Sequence, residues 1–256
     1  MSRHPKPPTR EVSRDTARIH EVEKPAALIA RALAKDYGDG PALHPLDLRV
    51  EEHERVALIG HNGSGKTTFL RMATGLLEPA SGSVTVFGEA PGSMEARRRL
   101  SYLADTPTFY EDLSVWEHLE YTARLHGRAD WEQRAADLLG QLGIYERADD
   151  LPTRFSRGLK QKAAIAMAFI RPFDLMLVDE PFVGLDAEGK EALLELFDEA
   201  SSAGASLVVA THELGFVTTT QRTVALRDGA LIFDGPSSQA EARGLVAVEG
   251  TAETES

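Results

Sequence analysis

Short apolar runs recur along the chain between residues 56 and 226, with little polar alternation inside them. Runs that are apolar on both faces are typical of parallel strands buried on both sides of a sheet. We therefore predict buried parallel strands at residues 56–59, 84–87, 175–178, 207–210 and 224–226.

Segments of helical composition separate several of these runs. Residues 158–170 and 187–200 have helical composition, and the first is expected to end before Pro172, because the residue preceding a proline disfavours the helical region. Alternating strands and helices predict an α/β fold with a mainly parallel sheet. Residues 112–125 and 131–142 both have helical patterns with no strand between them, which predicts a helical insertion in the α/β domain.

The organisation predicted from these patterns is a single folded domain over residues 25–239. Residues 1–24 are polar, contain prolines and lack apolar periodicity, so we expect a flexible leader. Residues 240–256 are rich in small and acidic residues, and we expect a flexible acidic tail there. Residues 26–36 fit a strand or a helix on pattern alone.

Composition narrows the possible functions. The 256 residues include 28 basic and 40 acidic ones, and the net charge of −12 argues against non-specific binding to nucleic acid or anionic lipid. The absence of cysteine excludes disulfides, thiolate metal sites and cysteine nucleophiles. No apolar run approaches the roughly 18 residues of a membrane span, and the N-terminus lacks the apolar region of a secretory signal. We expect a cytoplasmic protein with no nucleic-acid partner.

A phosphate-binding pattern, G-x-x-x-x-G-K-[ST], is met by residues 60–67 (GHNGSGKT), between a predicted strand and a predicted helix. Its glycines let backbone N–H groups converge on phosphate oxygens, and the helix that follows directs its positive end at the same anion. Lys66 is expected between the β- and γ-phosphates, and Thr67 is expected to ligate Mg²⁺. The candidate nucleotide-binding residues are Asn62, Gly63, Ser64, Gly65, Lys66, Thr67 and Thr68.

Two carboxylates, Asp179 and Glu180, directly follow the predicted strand at 175–178. Carboxylates at the carboxyl end of a parallel strand face the ligand crevice. Asp179 is predicted to hold Mg²⁺, and Glu180 to orient or deprotonate the water that attacks the γ-phosphate. These residues alone fit a kinase, a GTPase or another ATPase.

Three further segments narrow the choice, namely 155–162 (FSRGLKQK), 181–186 (PFVGLD) and Thr211-His212. With the two motifs above, they occur in the order and spacing of the nucleotide-binding subunits of ATP-binding cassette (ABC) transporters. The chain resembles that family over roughly residues 26–236. The resemblance implies a phosphate-loop NTPase core with an antiparallel β portion and a helical subdomain at about 105–170.

Roles on the nucleotide side follow from the resemblance. Residues 60–68 are implied to be the Walker A loop and Asp179 the Walker B aspartate. Glu180 is implied to be the catalytic base, and His212 the switch histidine that contacts the γ-phosphate. Tyr37 lies where the family places an aromatic ring that stacks on adenine.

The resemblance also assigns roles at the contact between two cassettes. Ser156 and Gly158 are implied to contact the γ-phosphate of an ATP held by a second protomer, and Asp186 belongs to the loop that communicates between the two sites. Ser156 is also predicted to cap the helix that follows it.

Two segments depart from the family pattern. In the signature, Arg157 replaces the first glycine and Leu159 replaces the glutamine. Asp105 stands where the lid-loop glutamine is expected, and an aspartate there can ligate a metal ion.

The function implied is an ATPase, with ATP and Mg²⁺, that drives a separate membrane permease by dimerisation of two cassettes. A homodimer is favoured, a heterodimer stays open, and similarity to drug, antibiotic and sodium exporters favours export. We expect the subunit at the inner face of the membrane. The candidate permease contacts are Phe109, Tyr110, Leu113 and Trp116 of the helical insertion, if exposed; the alternative is that most of them belong to the core. The alternatives are a soluble ABC-type ATPase without transport and a nucleotide-dependent regulatory module.

Overall fold

A computed structural model describes residues 26–38 and 40–245, in which the chain forms nine strands and eight α-helices. The predicted leader, residues 1–24, lies outside the described residues. The strands are β1 (Ala26–Asp36), β2 (Pro41–Glu51), β3 (Arg55–Ile59), β4 (Ser81–Val86), β5 (Leu100–Leu103), β6 (Leu175–Asp179), β7 (Ser206–Ala210), β8 (Arg222–Arg227) and β9 (Ala230–Pro236). The helices are α1 (Lys66–Ala73), α2 (Met94–Arg99), α3 (Val115–Leu125), α4 (Trp131–Gln141), α5 (Arg157–Ile170), α6 (Ala187–Ser202), α7 (Leu214–Val217) and α8 (Ser237–Ala242).

The central sheet has six strands in the order β5-β6-β7-β3-β8-β9, and all its pairs are parallel except β8–β9. Its middle strands are buried on both faces. In β6, Met176 and Val178 belong to one hydrophobic cluster, and Leu175 and Leu177 belong to another on the opposite face. The prediction of buried parallel strands is therefore confirmed for the runs in β3, β6, β7 and β8.

A second sheet, ordered β2-β1-β4, is antiparallel throughout. Residues 26–36, left open between strand and helix, form its central strand β1. The prediction of a parallel strand at 84–87 was wrong, because this run forms the end of β4 and pairs antiparallel with β1. Val84 and Val86 are buried and Thr85 between them is not, so this strand alternates as in a sheet that buries one face.

The predicted helical insertion is present between β5 and β6, where α3, α4 and α5 pack together with no strand among them. Ser114 and Glu117 form a capping box at the start of α3, in which each side chain accepts a hydrogen bond from the other residue's backbone N–H. Helix α5 ends at Ile170, and Arg171 is already extended, as expected for the residue before Pro172. None of the helices in the described part of the chain is long and apolar enough to span a membrane.

The candidate permease contacts on the insertion differ in their surroundings. Tyr110 is 54% exposed, whereas Phe109 and Trp116 pack against the core and Leu113 is only partly exposed. The Trp116 ring lies 5.4 Å from that of Trp131, and the Phe109 ring makes an edge contact with His118. Of the two alternatives, packing against the core applies to Phe109 and Trp116, and exposure applies to Tyr110.

Folded structure continues past residue 239, where the acidic tail was predicted to begin. Helix α8 spans Ser237–Ala242, and Ala240 within it is fully buried. The Ser237 hydroxyl lies 2.8 Å from that of Thr223 and 3.1 Å from that of Thr220, which fastens this helix to the sheet. The remainder of the predicted tail, residues 246–256, lies outside the described residues.

Candidate functional site

The sequence motifs meet at the carboxyl edge of the central sheet. The phosphate loop follows β3, Glu180 follows β6 and His212 follows β7, and these three strands are neighbours in the sheet. Together they line a cavity of about 560 Å³. The cavity also contacts Asp105, and its phosphate-loop lining consists of Asn62, Gly63, Ser64, Gly65, Lys66, Thr67 and Thr68.

The phosphate loop is held on two sides by backbone. Gly65 has a φ of 101°, and a Cβ there would lie 2.9 Å from the Ala42 carbonyl oxygen at the start of β2. On the other side, the Gly229 N–H donates to the Ser64 carbonyl at 3.2 Å, and the His44 N–H donates to the Gly229 carbonyl at 2.8 Å. Backbone contacts on both sides therefore support the curled form of the loop.

Glu180 lies in the cavity between a cation and an imidazole. Its Oε1 is 3.2 Å from the Lys66 ammonium and its Oε2 is 3.1 Å from Nδ1 of His212. Lys66 is only 6% exposed and also donates to the Gly60 carbonyl at 2.5 Å. Glu180 has a φ of 44°, and a non-glycine residue in this left-handed region is uncommon and strained. The strained backbone directs the carboxylate to the place where the three motifs meet.

Asp179 lies next to this group and is buried, and neither of its carboxylate oxygens is hydrogen bonded within the described residues. Burial raises the pKa of Asp179; the neighbouring Thr67 hydroxyl opposes that rise, and the negative charges of Asp105 and Glu180 add to it. A buried carboxylate with free oxygens beside a hydroxyl matches the hard oxygen ligands that Mg²⁺ prefers. These side chains therefore fit a Mg²⁺ ion, with its other ligands coming from phosphate and water.

Ser156 caps helix α5 as predicted, because its hydroxyl accepts a hydrogen bond from the Leu159 N–H at 3.4 Å. Neither Ser156 nor Gly158 lines the phosphate cavity of its own chain, whereas the side chain between them, Arg157, does. In the sequence, Arg157 stands out only as a departure from the family signature. In the structure its side chain lies against Gly184 in the loop after β6, and a contact between residues so far apart in the chain has no local sequence signal.

The loop that ends at Asp186 is joined to helix α5. Asp186 caps α6 by accepting from the Gly189 N–H at 2.8 Å, and it pairs with Lys162 of α5 at 3.0 Å. Gly158 lies so close to this loop that a Cβ would be 2.6 Å from the Gly184 carbonyl oxygen. The segment at 155–159 and the loop 181–186 therefore form one connected surface beside the cavity.

Replacing Gly158 with alanine is expected to destabilise the chain, because the added methyl group overlaps the Gly184 carbonyl. Overpacking of this kind costs about 1–3 kcal/mol. The melting temperature measured by calorimetry should fall by about 2–4 °C for each kcal/mol. Gly140→Ala is the matched control, because Gly140 lies in α4 with no atom within 4 Å of an added Cβ, and it should not lower the melting temperature. If the two variants had the same melting temperature, the close approach of Gly158 to the Gly184 carbonyl would be contradicted.

Tyr37 lies outside the group that lines the cavity. It is 58% exposed, and the Lys35 ammonium is 5.4 Å from its ring centroid. Asp105, by contrast, lies on the cavity wall close enough to raise the pKa of Asp179. The structure thus brings together the phosphate loop, Glu180, His212 and Asp105, and it places Tyr37 on open surface.

Comparisons with known proteins agree with this geometry. The sequence profile of the family described as ABC transporter matches residues 43–183, more than half of the chain. The chain is 35% identical over 205 residues to the SkfA peptide export ATP-binding protein SkfE of Bacillus subtilis, covering 79% of this chain and 86% of that protein. It is 38% identical over 191 residues to the ABC-type transporter ATP-binding protein EcsA of the same organism, covering 73% and 77%. A solved structure of an ATP-binding subunit of an ABC transporter is 32% identical, covers 87% of this chain and 95% of its own, and superposes with a TM-score of 0.78.

Proposed function

This chain belongs to the ABC transporter family as an ATP-binding, ATP-hydrolysing subunit, and we propose that it drives export through a separate membrane permease. The observation that carries the ATPase part of the proposal is the contact of Glu180 with both Lys66 and His212 beside the phosphate loop. A carboxylate in that position is suited to accept a proton from a water that attacks the γ-phosphate.

The nucleotide is proposed to bind with its β- and γ-phosphates over residues 62–68, where backbone N–H groups and the start of α1 supply positive potential. Lys66 then exchanges its contact with Glu180 for the phosphate oxygens. This releases the Glu180 carboxylate to orient water, while His212 contacts the γ-phosphate. Tyr37, with its open ring face, is proposed to stack on adenine.

Mg²⁺ is proposed to be held by the Thr67 hydroxyl and the free oxygens of Asp179. When bound, the ion neutralises charge on the β- and γ-phosphates. The other ligands of this ion would come largely from phosphate and water. Asp105 lines the same cavity, and we propose that its negative charge adjusts the electrostatic potential at the Mg²⁺ position.

Turnover is proposed to need a second cassette. Ser156 is exposed at the N-terminus of α5, a 14-residue helix, and it does not line the phosphate cavity of its own chain. We propose that Ser156 and Gly158 contact the γ-phosphate bound by the second protomer, and that Asp186 links the two sites through Lys162. The isolated monomer is then a poor ATPase.

The permease is proposed to dock on the helical subdomain beside the cavity. Exposed apolar and aromatic side chains of this subdomain include Tyr110, Tyr121 and Leu125, and Met94 of α2 lines a cavity together with Leu125. The rings of Tyr110 and Tyr121 lie 5.7 Å apart, so part of this patch is already ordered. The chain would thus sit at the cytoplasmic face of the membrane through its partner. Export is favoured because one relative is named as a peptide export protein.

The test is capture of the tagged Glu180→Gln chain from detergent-solubilised native membranes with ATP and Mg²⁺, followed by mass spectrometry. A stoichiometric polytopic partner is expected. It should be lost when Leu125, 66% exposed, is replaced by glutamate, and kept when the exposed Glu195 is replaced by glutamine. Recovery of a soluble partner alone, or of none, would contradict the transport proposal and favour an ABC-type ATPase without transport.

A further inference from the structure

A second cavity, of about 460 Å³, lies at the edge of the central sheet opposite the phosphate loop. Its walls come from segments that precede strands rather than follow them. His53 precedes β3, residues 171–174 precede β6, and residues 203–205 precede β7. The cavity is therefore separated from the nucleotide site by the length of the sheet and is not an extension of it.

Three arginines line this cavity although the chain carries a net charge of −12. Two of them come from the helical subdomain: Arg128 lies shortly before α4, and Arg134 lies in its first turn. Arg171 directly follows the last residue of α5. A site where guanidinium groups from separate elements converge attracts a multiply charged anion, above all a phosphate, which accepts the paired N–H groups of arginine.

The two carboxylates on the cavity wall do not neutralise all three arginines. Asp174 is bound by Arg99, with Nε and Oδ2 2.5 Å apart. Glu199 is only 3.8 Å from Arg134 and accepts a hydrogen bond from Gln141 at 3.1 Å. Arg128 pairs with Asp130 at 3.1 Å. Asp174, Glu199 and Asp130 each have a basic or amide partner, and none of them pairs with Arg171.

Arg171 gives the main evidence that this cavity can bind an anion. One terminal nitrogen donates to the Arg97 carbonyl oxygen, but its Nε is buried without a hydrogen bond, and Arg171 has no ion pair within residues 26–38 and 40–245. Burial alone lowers the pKa of Arg171 to about 10, with no neighbouring carboxylate opposing it. Arg171 is partly buried as a residue, and removing even part of a guanidinium from water without a counter-charge costs free energy that a bound anion offsets.

Part of the cavity lining is apolar and aromatic. It includes Phe169, Pro172 and Phe173, and the two phenylalanine rings meet edge to face with centroids 5.8 Å apart. A ligand with a flat apolar part as well as a phosphate therefore matches the lining better than inorganic phosphate does. The volume falls within the range of sites for small organic ligands, about 300–1,000 Å³.

We propose that this cavity binds a small organic phosphate, with the phosphate on Arg171 and Arg134 and the apolar part against Phe173. The ligand would join the helical subdomain, through Arg134, to the segment that leads into β6. Helix α5 connects this cavity with the signature segment, because Ser156 caps one end of it and Arg171 follows the other. The site is thus placed to regulate the movement of the helical subdomain.

The proposal is tested by titrating phenyl phosphate and inorganic phosphate into the full chain carrying Lys66→Ala, which silences the phosphate loop. Calorimetry should show saturable binding that is tighter for phenyl phosphate. Arg171→Gln and, separately, Arg134→Gln should each weaken it by about tenfold or more, because each removes a charge-assisted hydrogen bond. Arg147→Gln is the control, since Arg147 lies on the surface and pairs with Asp150. Melting temperatures without ligand verify that each variant is folded.

A second arm distinguishes a soluble ligand from a lipid headgroup. Sedimentation with phosphatidylcholine vesicles containing phosphatidic acid, lost on Arg171→Gln but kept on Arg147→Gln, would assign the phosphate to a lipid. Saturable phenyl phosphate binding without sedimentation would assign it to a soluble ligand. Absence of both, or binding unchanged by Arg171→Gln and by Arg134→Gln, would overturn the proposal.

Discussion

Replacing Glu180 with glutamine is expected to lower ATP turnover by about 10²- to 10⁴-fold, the usual contribution of a general base. ATP binding should persist, because glutamine has the same shape and removes a negative charge facing the phosphates. With hydrolysis blocked and ATP and Mg²⁺ present, two cassettes should stay associated. Phosphate release measures the first effect, and light scattering after size-exclusion chromatography measures the second.

The control for this variant is Glu195→Gln, since Glu195 is an exposed carboxylate on α6. It should turn over ATP like the unchanged chain and should not accumulate as a dimer. Undiminished phosphate release by Glu180→Gln would exclude Glu180 as the base. A chain that is inactive but remains monomeric with ATP would point to a different second cassette as its partner.

Replacing Lys66 with alanine is expected to weaken ATP binding by about 10- to 100-fold, because hydrogen bonds to charged groups contribute about 1.5–3 kcal/mol. The ammonium lies 2.5 Å from the Gly60 carbonyl and 3.2 Å from Glu180, so it is held inside the phosphate loop. Equilibrium titration with a fluorescent ATP analogue measures the dissociation constant.

Arg124→Ala removes a positive charge at an exposed position that pairs with Glu120 on α3, and it should leave the affinity unchanged. Lys66→Arg keeps the charge but not the shape and should retain part of the binding. Unchanged affinity in Lys66→Ala would exclude the assignment of residues 60–67 as the phosphate site.

Features carried by neighbouring residues were predictable from the sequence. The strand before the phosphate loop, the strand ending at Asp179 and the helix capped by Ser156 each have their signal within a few positions. Such segments form wherever local pattern and tertiary burial agree. The parallel sheet followed from them, since strands separated by helices are joined by crossovers.

Strands whose sequence patterns are weak or interrupted were not predicted. Strand β2 contains Pro41 and Pro45, which disfavour a strand on pattern, but it lies at the edge of its sheet, where a missing N–H is tolerated. Strand β5 has only four residues. The Lys66–Glu180 contact and the convergence of Arg134 and Arg171 join positions far apart in the chain, so no local pattern reports them.

The clamping of the phosphate loop between the start of β2 and the Gly229 turn affects the thermodynamics of nucleotide binding. Because Ser64 and Gly65 are already fixed by backbone contacts, the conformational entropy of the loop has been lost during folding and not at association. Preorganisation of this kind leaves the loop amides directed at the position of the anion. The clamping of Ser64 and Gly65 is therefore expected to lower the entropic cost of ATP binding.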